Sequence, residues 1–364
     1  MRILQIIDSL NMGGAEKLLL DSIPLYVARG LTMDIALLTD NDYPFTKALE
    51  AQNCSKIFKL SKGSVYNPML IFKLQKLLKN YDIAHVHLFP AQYWAVLANL
   101  LNGNKTKLIF TEHNTSNNRI NNQLYAKIDR LVYPYYEKTV CITKEIQDIF
   151  KQHTNLDINR LPIINNGVDI KTFTNASAIE RNNLIPSIKQ GDRIIVQVSA
   201  FRLQKDQKTL IKALSFLPEN FKLILVGDGE YKEECQILSK SLKLENRCFF
   251  LGKRTDIPNI LKSADYIVLS SKYEGLSLSS IEGMASGRPF IASDVPGLKE
   301  IVGGYGILFP QGEAQILAQK ILSLENNPAL YQEIVQKCQA RAKEFDIHRM
   351  VDKYTTLYTS LYAQ

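Results

Sequence analysis

A chain of 364 residues exceeds what one hydrophobic core usually organises, so two domains are expected. With 46% hydrophobic and 22% charged residues the composition excludes a disordered protein. The net charge of +8 divides evenly, +4 in residues 1–170 and +4 in 171–364, leaving no basic tail or block to recruit nucleic acid.

Diffuse positive charge of this kind fits an anionic small substrate or weak attraction to an anionic membrane surface. The five cysteines (Cys54, Cys141, Cys235, Cys248, Cys338) are scattered and form no Cys-x-x-Cys, which points to a reducing, cytoplasmic setting. The N-terminal apolar run is short and meets Asp8 at once, so it reads as a first strand rather than a signal peptide. The nearest approach to a membrane span, residues 94–101, is broken by Asn99 and falls far short of the roughly 18 residues required. A soluble protein, at most peripheral at the inner membrane face, is expected.

Apolar runs at 3–7, 33–38, 83–87, 108–111, 140–142 and 163–165 read as strands. Helical patterns at 15–29, 69–80, 91–102 and 120–136 separate them, the first opening after Gly13-Gly14. Such alternation predicts a parallel sheet with crossover helices, hence a doubly wound domain over 1–170. Residues 171–190 lose periodicity and read as a linker. A second alternation follows over 191–345, with strands at 194–198, 223–226, 248–251, 266–269 and 290–292. Helices are expected near 207–217, 231–242, 256–263 and 277–285. From Ala314 the pattern is helical throughout, and the segment 346–364 is expected to pack back on the first domain. The fold class is therefore α/β: two Rossmann-like domains facing across a cleft, with ligands at the carboxyl ends of the strands.

The segment Glu274-Gly-Leu-Ser-Leu-Ser-Ser-Ile-Glu282 carries two carboxylates on a strand–loop–helix turn. Amides at Ser277 and Leu278 would open the helix and suit phosphate oxygens. Glu274 would overhang that phosphate, and Glu282, two turns down, would reach a diol. An anion flanked by acceptor-only carboxylates suits a phosphate bearing hydroxyls on both sides, as in a nucleotide-sugar. The competing reading makes Glu274 a solvated loop acid and Glu282 a surface helix residue. Arg202 and Lys205 follow the first strand of the second domain, where fixed cations would stabilise a diphosphate leaving group; ordinary surface charge is the alternative. Gly227 and Gly229 read as turn residues, whereas Gly252 and Arg254 either border a nucleobase or make a turn.

In the first domain, Asp8-Ser-Leu-Asn-Met-Gly-Gly14-Ala-Glu16 places paired glycines at a helix entrance without the Gly-x-Gly-x-x-Gly fingerprint. His85 and His87 share one strand face, which raises metal ligation, yet no third soft ligand stands at a telling spacing. His113 fits better as a hydrogen-bonding group at a sugar.

Taken together these motifs resemble the GT-B-fold retaining glycosyltransferases of family 4, also called group 1. The carriers are the Asp8–Glu16 loop, Thr111-Glu-His-Asn114, Asn166-Gly-Val-Asp169, Gln204-Lys-Asp206, Val226-Gly-Asp-Gly229, Leu251-Gly252 and, most specifically, the block from Glu274 to Glu300. The resemblance implies a donor held by the second domain: Glu282 on the ribose, Glu274 on the transferred sugar, Lys205 with a nearby arginine on the diphosphate. Amides of Ser277 and Leu278 would complete the phosphate site, Gly14 would approach from the other domain, and His113 would lie near the donor sugar. It further implies a UDP-sugar first and a GDP-sugar next, retention of configuration, no cofactor and no obligatory metal. The modest basic charge, together with Tyr93 and Trp94 in the first domain, leads to the further expectation of a growing cell-surface polysaccharide or lipid-linked glycan as acceptor, with peripheral membrane contact. No feature bears on oligomeric state. Two departures stand out: Ala200 occupies the place of a common arginine, and Ser277 and Gly283 stand where glycine and alanine are commoner. Alternatives sharing the architecture are a nonhydrolysing nucleotide-sugar epimerase, a non-catalytic nucleotide-sugar-binding protein and a pyridoxal-phosphate-dependent phosphorylase, the last usually a much longer chain.

Overall fold

The computed structural model describes residues 1–113 and 122–363. Asn114 and the expected helix start at residues 120–121 lie outside the described residues. The chain divides into two compact units, residues 1–167 with 347–364, and residues 168–346.

The first unit runs β1 (Arg2–Ile7), α1 (Gly14–Ala28), β2 (Thr32–Leu37), α2 (Pro44–Gln52), β3 (Ile57–Lys59), α3 (Leu70–Leu78), β4 (Ile83–His87), α4 (Ala91–Leu100), β5 (Lys107–Glu112), α5 (Gln123–Val132), β6 (Lys138–Cys141) and α6 (Lys144–Thr154). The second runs α7 (Ile170–Thr174), α8 (Arg181–Leu184), β7 (Arg193–Val198), α9 (Gln207–Leu214), β8 (Phe221–Val226), α10 (Lys232–Ser241), β9 (Cys248–Gly252), α11 (Ile257–Ser263), β10 (Tyr266–Leu269), α12 (Leu278–Ala285), β11 (Phe290–Ser293), α13 (Lys299–Val302), β12 (Ile307–Phe309), α14 (Ala314–Glu325) and α15 (Pro328–Ala342). The last helix, α16 (Ile347–Tyr362), returns to the first unit.

Each unit holds one six-stranded parallel sheet, ordered β3-β2-β1-β4-β5-β6 and β12-β11-β10-β7-β8-β9. Counted within its own unit, each follows the doubly wound order 3-2-1-4-5-6. The central strands are buried along nearly their whole length, because crossover helices cover both faces. The order reverses between β1 and β4 in one sheet and between β7 and β10 in the other. At such switch points the connecting loops diverge and leave room for a ligand beyond the strand ends.

Helix α16 joins the core of the first unit through Ile347, Met350, Val351, Tyr354, Tyr358 and Leu361. Full burial of each aliphatic side chain is worth about 1.5–3 kcal/mol. Tyr358 meets Tyr26 of α1 edge-on at 5.8 Å, and Lys107 Nζ donates to the Leu361 carbonyl at 2.7 Å.

Three expectations are corrected. Residues 171–190 are not a bare linker: they contain most of α7 and all of α8, and they are tied into the second unit. Lys262 Nζ donates to the Thr174 carbonyl, and Arg181 pairs with Asp265 at 3.2 Å. Residues 163–165 do not form a strand; Ile163 makes an isolated bridge to Cys141. The C-terminal segment is not continuously helical, being interrupted around Asn326-Asn327 and again before Ile347.

Candidate active site

In the second unit the switch point gathers two loops. One follows β7 and carries Ser199 to Lys205; the other follows β10 and carries Ser270 to Ser277. Ser270 Oγ lies 2.9 Å from both Gln197 Oε1 and the Asp206 carbonyl and shares its single proton between them, and Lys272 N donates to the Gln204 carbonyl at 2.7 Å. These bonds stitch the loops and bring two distant side chains together. Lys205 Nζ donates to Glu274 Oε1 at 2.6 Å and Oε2 at 2.8 Å, with the two side chains only 18% and 6% exposed. Ser271 Oγ donates to the same Oε1 at 2.5 Å. A shielded ion pair of this kind is held by charge-assisted hydrogen bonds, the same type of bond that a lysine makes to a phosphate oxygen and a carboxylate to a hydroxyl.

Glu274 is also fixed from behind. Its N–H donates to the Pro296 carbonyl at 3.2 Å, and Gly297 passes so close that an added Cβ would lie 2.1 Å from the Glu274 carbonyl oxygen. The φ of +82° at Gly297 independently selects glycine. On the β7 side, Gly227 does the same, since a Cβ there would stand 2.1 Å from the Ser199 carbonyl oxygen. Gly227 and Gly229 therefore shape the Ser199–Lys205 loop as well as making a turn. Sequence reasoning missed Ser271 and Gly297; Pro296-Gly297, a dipeptide suited to a turn with positive φ, was the available signal.

Three residues after Glu274 comes the buried Ser277, the N-cap of α12, with Leu278 as first helical residue. Ser277 Oγ bonds Ser279 Oγ at 3.0 Å and does not cap the helix, so the first-turn amides find no capping side chain. Such a terminus attracts anions. Glu282 sits half-buried on the same helix. The glycine at position 283 has a packing reason: a Cβ would come within 2.6 Å of the Phe290 ring.

The remaining second-unit candidates are placed differently. Arg202 is exposed on the turn preceding Lys205. Ala200 uses its carbonyl to accept from Gln207 Nε2 at 2.9 Å. Gly252 ends β9 with φ +68°, and Arg254 is engaged by Asp256 through two bonds of 2.8 and 2.6 Å. Asp256 thus holds the Nε and Nη2 edge of the Arg254 guanidinium.

In the first unit, Asp8 directly follows β1, and Gly13 caps α1, which begins at Gly14. An added Cβ at Gly13 would strike the Glu16 carboxylate at 2.3 Å. Burial, with Glu16 nearby, pushes the Asp8 carboxyl up to about 8. Among the described residues its Oδ1 is buried without a hydrogen-bond partner.

The three histidines belong to one buried chain of hydrogen bonds rather than to a metal site. His85 bonds Tyr358 Oη through Nδ1 at 2.6 Å and Thr111 Oγ1 through Nε2 at 2.7 Å. His87 bonds Gln5 Oε1 through Nε2 at 2.8 Å and His113 Nε2 through Nδ1 at 3.1 Å. Burial holds all three below the ordinary histidine range, His85 at about 3 and His113 at about 4. Among the described residues no group of three or more His, Cys, Asp or Glu side chains is placed to hold a metal ion.

Two sheets of this order, one carrying a lysine–glutamate pair beside a helix N-terminus at its switch point, have the plan of a GT-B glycosyltransferase. The fold matches Anabaena HepE solved with UDP and glucose, at TM-score 0.85 and 23% identity over 99% of this chain and 100% of that one. It also matches TarM, at TM-score 0.76 and 16% identity over 100% and 99%. Residues 12–172 match the family described as Glycosyltransferase Family 4, and residues 179–344 match Glycosyl transferases group 1. The chain belongs to these family 4, group 1 glycosyltransferases.

Similar curated proteins include the N-acetylgalactosamine-N,N'-diacetylbacillosaminyl-diphospho-undecaprenol 4-alpha-N-acetylgalactosaminyltransferase of Campylobacter jejuni, 26% identical over 93% of this chain and 94% of that protein. The UDP-Gal:alpha-D-GlcNAc-diphosphoundecaprenol alpha-1,3-galactosyltransferase of Escherichia coli is 27% identical over 80% and 79%. EpsD of Bacillus subtilis, named a putative glycosyltransferase, is 28% identical over 77% and 77%.

Proposed function

We propose that the protein transfers a sugar from a nucleoside-diphosphate-sugar, UDP first and GDP next, to a hydroxyl of a growing polysaccharide or lipid-linked glycan, with retention of configuration. The observation that carries this reading is the Lys205–Glu274 pair at the switch point, directly ahead of the α12 N-terminus. Donor binding exchanges partners: Lys205 turns to the diphosphate, with the α12 amides beside it, and Glu274 accepts from a sugar hydroxyl. Glu282 takes the ribose. Cations and amides fixed before the reaction stabilise the charge that grows on the leaving diphosphate. The departing oxygen accepts the acceptor's proton on the same face, so neither a protein nucleophile nor a metal is required.

A thermal-shift screen of UDP-, GDP-, ADP- and TDP-sugars tests the donor, since a ligand selective for the folded state raises Tm by mass action. A shift with UDP-sugars, product of unchanged anomeric configuration and turnover indifferent to EDTA are expected. Conversion of the donor without acceptor would instead favour an epimerase.

The membrane-linked acceptor is supported by one face of the first unit and by the diphospho-undecaprenol in the names of two relatives. Between Leu60 and Thr106 the sequence has five lysines and a single acid, Asp82. There Tyr66, Met69, Phe72, Leu97, Leu100 and Leu101 are exposed beside Lys62, Lys76, Lys79 and Lys105. Tyr66 lies 5.9 Å from Phe89, Trp94 Nε1 donates to the Val65 carbonyl and Gln75 Nε2 to the Leu101 carbonyl, so α3, α4 and the loop before α3 form one face. Apolar side chains ringed by lysines match an anionic lipid surface. Co-sedimentation with phosphatidylglycerol vesicles, weakened by salt and absent with phosphatidylcholine, is the expected result; no sedimentation with either overturns it. Among the described residues no helix is long and apolar enough to cross a membrane.

A further inference from the structure

The buried chain of hydrogen bonds behind His113 has a readable direction. Gln5 Nε2 faces Met33 Sδ at 3.0 Å and Tyr358 Oη at 3.3 Å. A thioether sulfur only accepts, so the amide NH2 must point to it and Gln5 Oε1 must point the other way. That oxygen stands 2.8 Å from His87 Nε2, which therefore carries the proton. His87 Nδ1 is then a bare acceptor, and it is 3.1 Å from His113 Nε2. The proton between them belongs to His113, whose Nδ1 is left with a lone pair.

We infer that Gln5, His87 and Tyr358 are positioning residues that hold His113 as a neutral imidazole with its proton on Nε2, so that its Nδ1 presents a hydrogen-bond acceptor to a hydroxyl of the substrate. The inference rests on the proposed function and on the family resemblance, which implies that His113 lies near a sugar of the substrate. Tyr358 belongs to α16 at the far end of the chain, yet its hydroxyl accepts from Gln5 Nε2 and bonds His85 Nδ1 at 2.6 Å. His85 passes the chain on to Thr111, which bonds Tyr354 Oη of the same helix at 2.9 Å. The C-terminal helix thus adds a second acceptor for the Gln5 amide, in support of the orientation that Met33 selects, behind a residue at the carboxyl end of β5, the end of a parallel sheet where ligands bind. Burial keeps the three rings neutral, which preserves the one-proton-per-ring count on which the direction depends.

The consequence is a discrimination. A site that accepts from a hydroxyl rejects the deoxy analogue strongly, because a buried acceptor is left unpaired. Removing Gln5 frees His87 to carry its proton on Nδ1 and donate to His113, turning His113 into a donor on its other nitrogen.

Two measurements separate the inference from the functional reading. In the full chain labelled with 15N-histidine, long-range proton–nitrogen correlation spectra report which ring nitrogen carries each proton, without any ligand. His87 and His113 are both expected protonated on Nε2 in the wild-type protein at pH 7, and a proton on His113 Nδ1 overturns the wiring. In Gln5→Leu the His113 tautomer is expected to change or become mixed, while Gln5→Glu, which still accepts from His87, retains it. An unchanged tautomer in a folded Gln5→Leu also overturns the inference.

Turnover with the UDP-sugar that the thermal-shift screen selects is then expected to fall tenfold or more in Gln5→Leu and in Tyr358→Phe, with affinity for UDP itself unchanged, and to be restored by Gln5→Glu. Native turnover in a Gln5→Leu whose tautomer has switched would show that the wiring is real but that His113 does not meet the substrate.

Discussion

Lys205 Nζ and Glu274 Oε1 stand 2.6 Å apart across 69 residues of sequence, each on the loop that follows one of the two strands flanking a topological switch point. Among the described residues neither has a second full countercharge in its side-chain hydrogen bonds; Glu274 adds only the Ser271 hydroxyl. The pair is thus a preformed site whose charges compensate one another until a donor separates them.

Replacement of Lys205 by methionine removes the proposed diphosphate cation and leaves a buried carboxylate with a hydroxyl partner alone. Turnover should fall by on the order of 10²–10³, the usual effect of losing one transition-state donor. Breaking a fully buried pair costs about 3–5 kcal/mol, and this partly exposed lysine should cost less. Steady-state kinetics and urea denaturation check the two effects. Near-native turnover would remove Lys205 from the mechanism.

Gly297→Ala should disturb Glu274 without touching any of its side-chain partners. The added methyl meets the Glu274 carbonyl oxygen at 2.1 Å, and the left-handed backbone adds strain of about 1–3 kcal/mol. A lower urea midpoint and at least tenfold slower turnover are expected. Native values for both would mean that the Pro296-Gly297 loop gives way freely.

The buried His85 and His87, with the half-buried His113, should make the first unit sensitive to acid. Their folded-state values lie below the ordinary 6.5, so the unfolded chain binds protons first as pH falls. The stability they confer is complete above pH 6.5 and is lost as pH falls towards about 4 and 3. Each histidine contributes a slope of up to about 1.4 kcal/mol per pH unit. Urea midpoints at pH 7, 5.5 and 4.5 should fall progressively, and less steeply in His113→Gln. Parallel profiles for the two proteins would contradict this.

Asp8 predicts the opposite sign. Its carboxyl is raised to about 8, so the stability of the neutral form is complete below the ordinary 3.8 and is lost as pH rises through 8. Asp8→Asn keeps the shape and accepts from Ala91 N–H without the buried charge. The variant's gain in urea midpoint should be larger at pH 8 than at pH 5. An equal gain at both values would show that the wild-type carboxyl is already ionised at pH 5.

Much of the architecture was legible because it is written in local pattern. Parallel strands covered on both faces read as continuous apolar runs, as in 83–87 and 266–269, and these coincide with β4 and β10. The expected start of the phosphate-site helix near Ser277 is the observed N-cap. Elements at the margins were less visible. The three-residue strands β3 and β12 pair on one side only, and both end their sheets, so neither carries a long apolar run. Helix α6 was missed although Thr143 caps it and accepts from Ile146 N–H at 3.2 Å, a signal present in the sequence.

The sequence by itself determined two doubly wound sheets, the helix that follows Glu274 and the types of residue at the strand ends, since hydrophobic period and turn chemistry act over a few residues. Only the tertiary structure decided which of those residues are partners. Lys205 finds Glu274 because β7 and β10 are neighbours, and Gln5 finds Tyr358, 353 residues away, because α16 closes over the first sheet. Hydrogen-bond direction, charge pairing and the depression of the histidines arise from the burial that such long-range packing creates, and no local pattern encodes it.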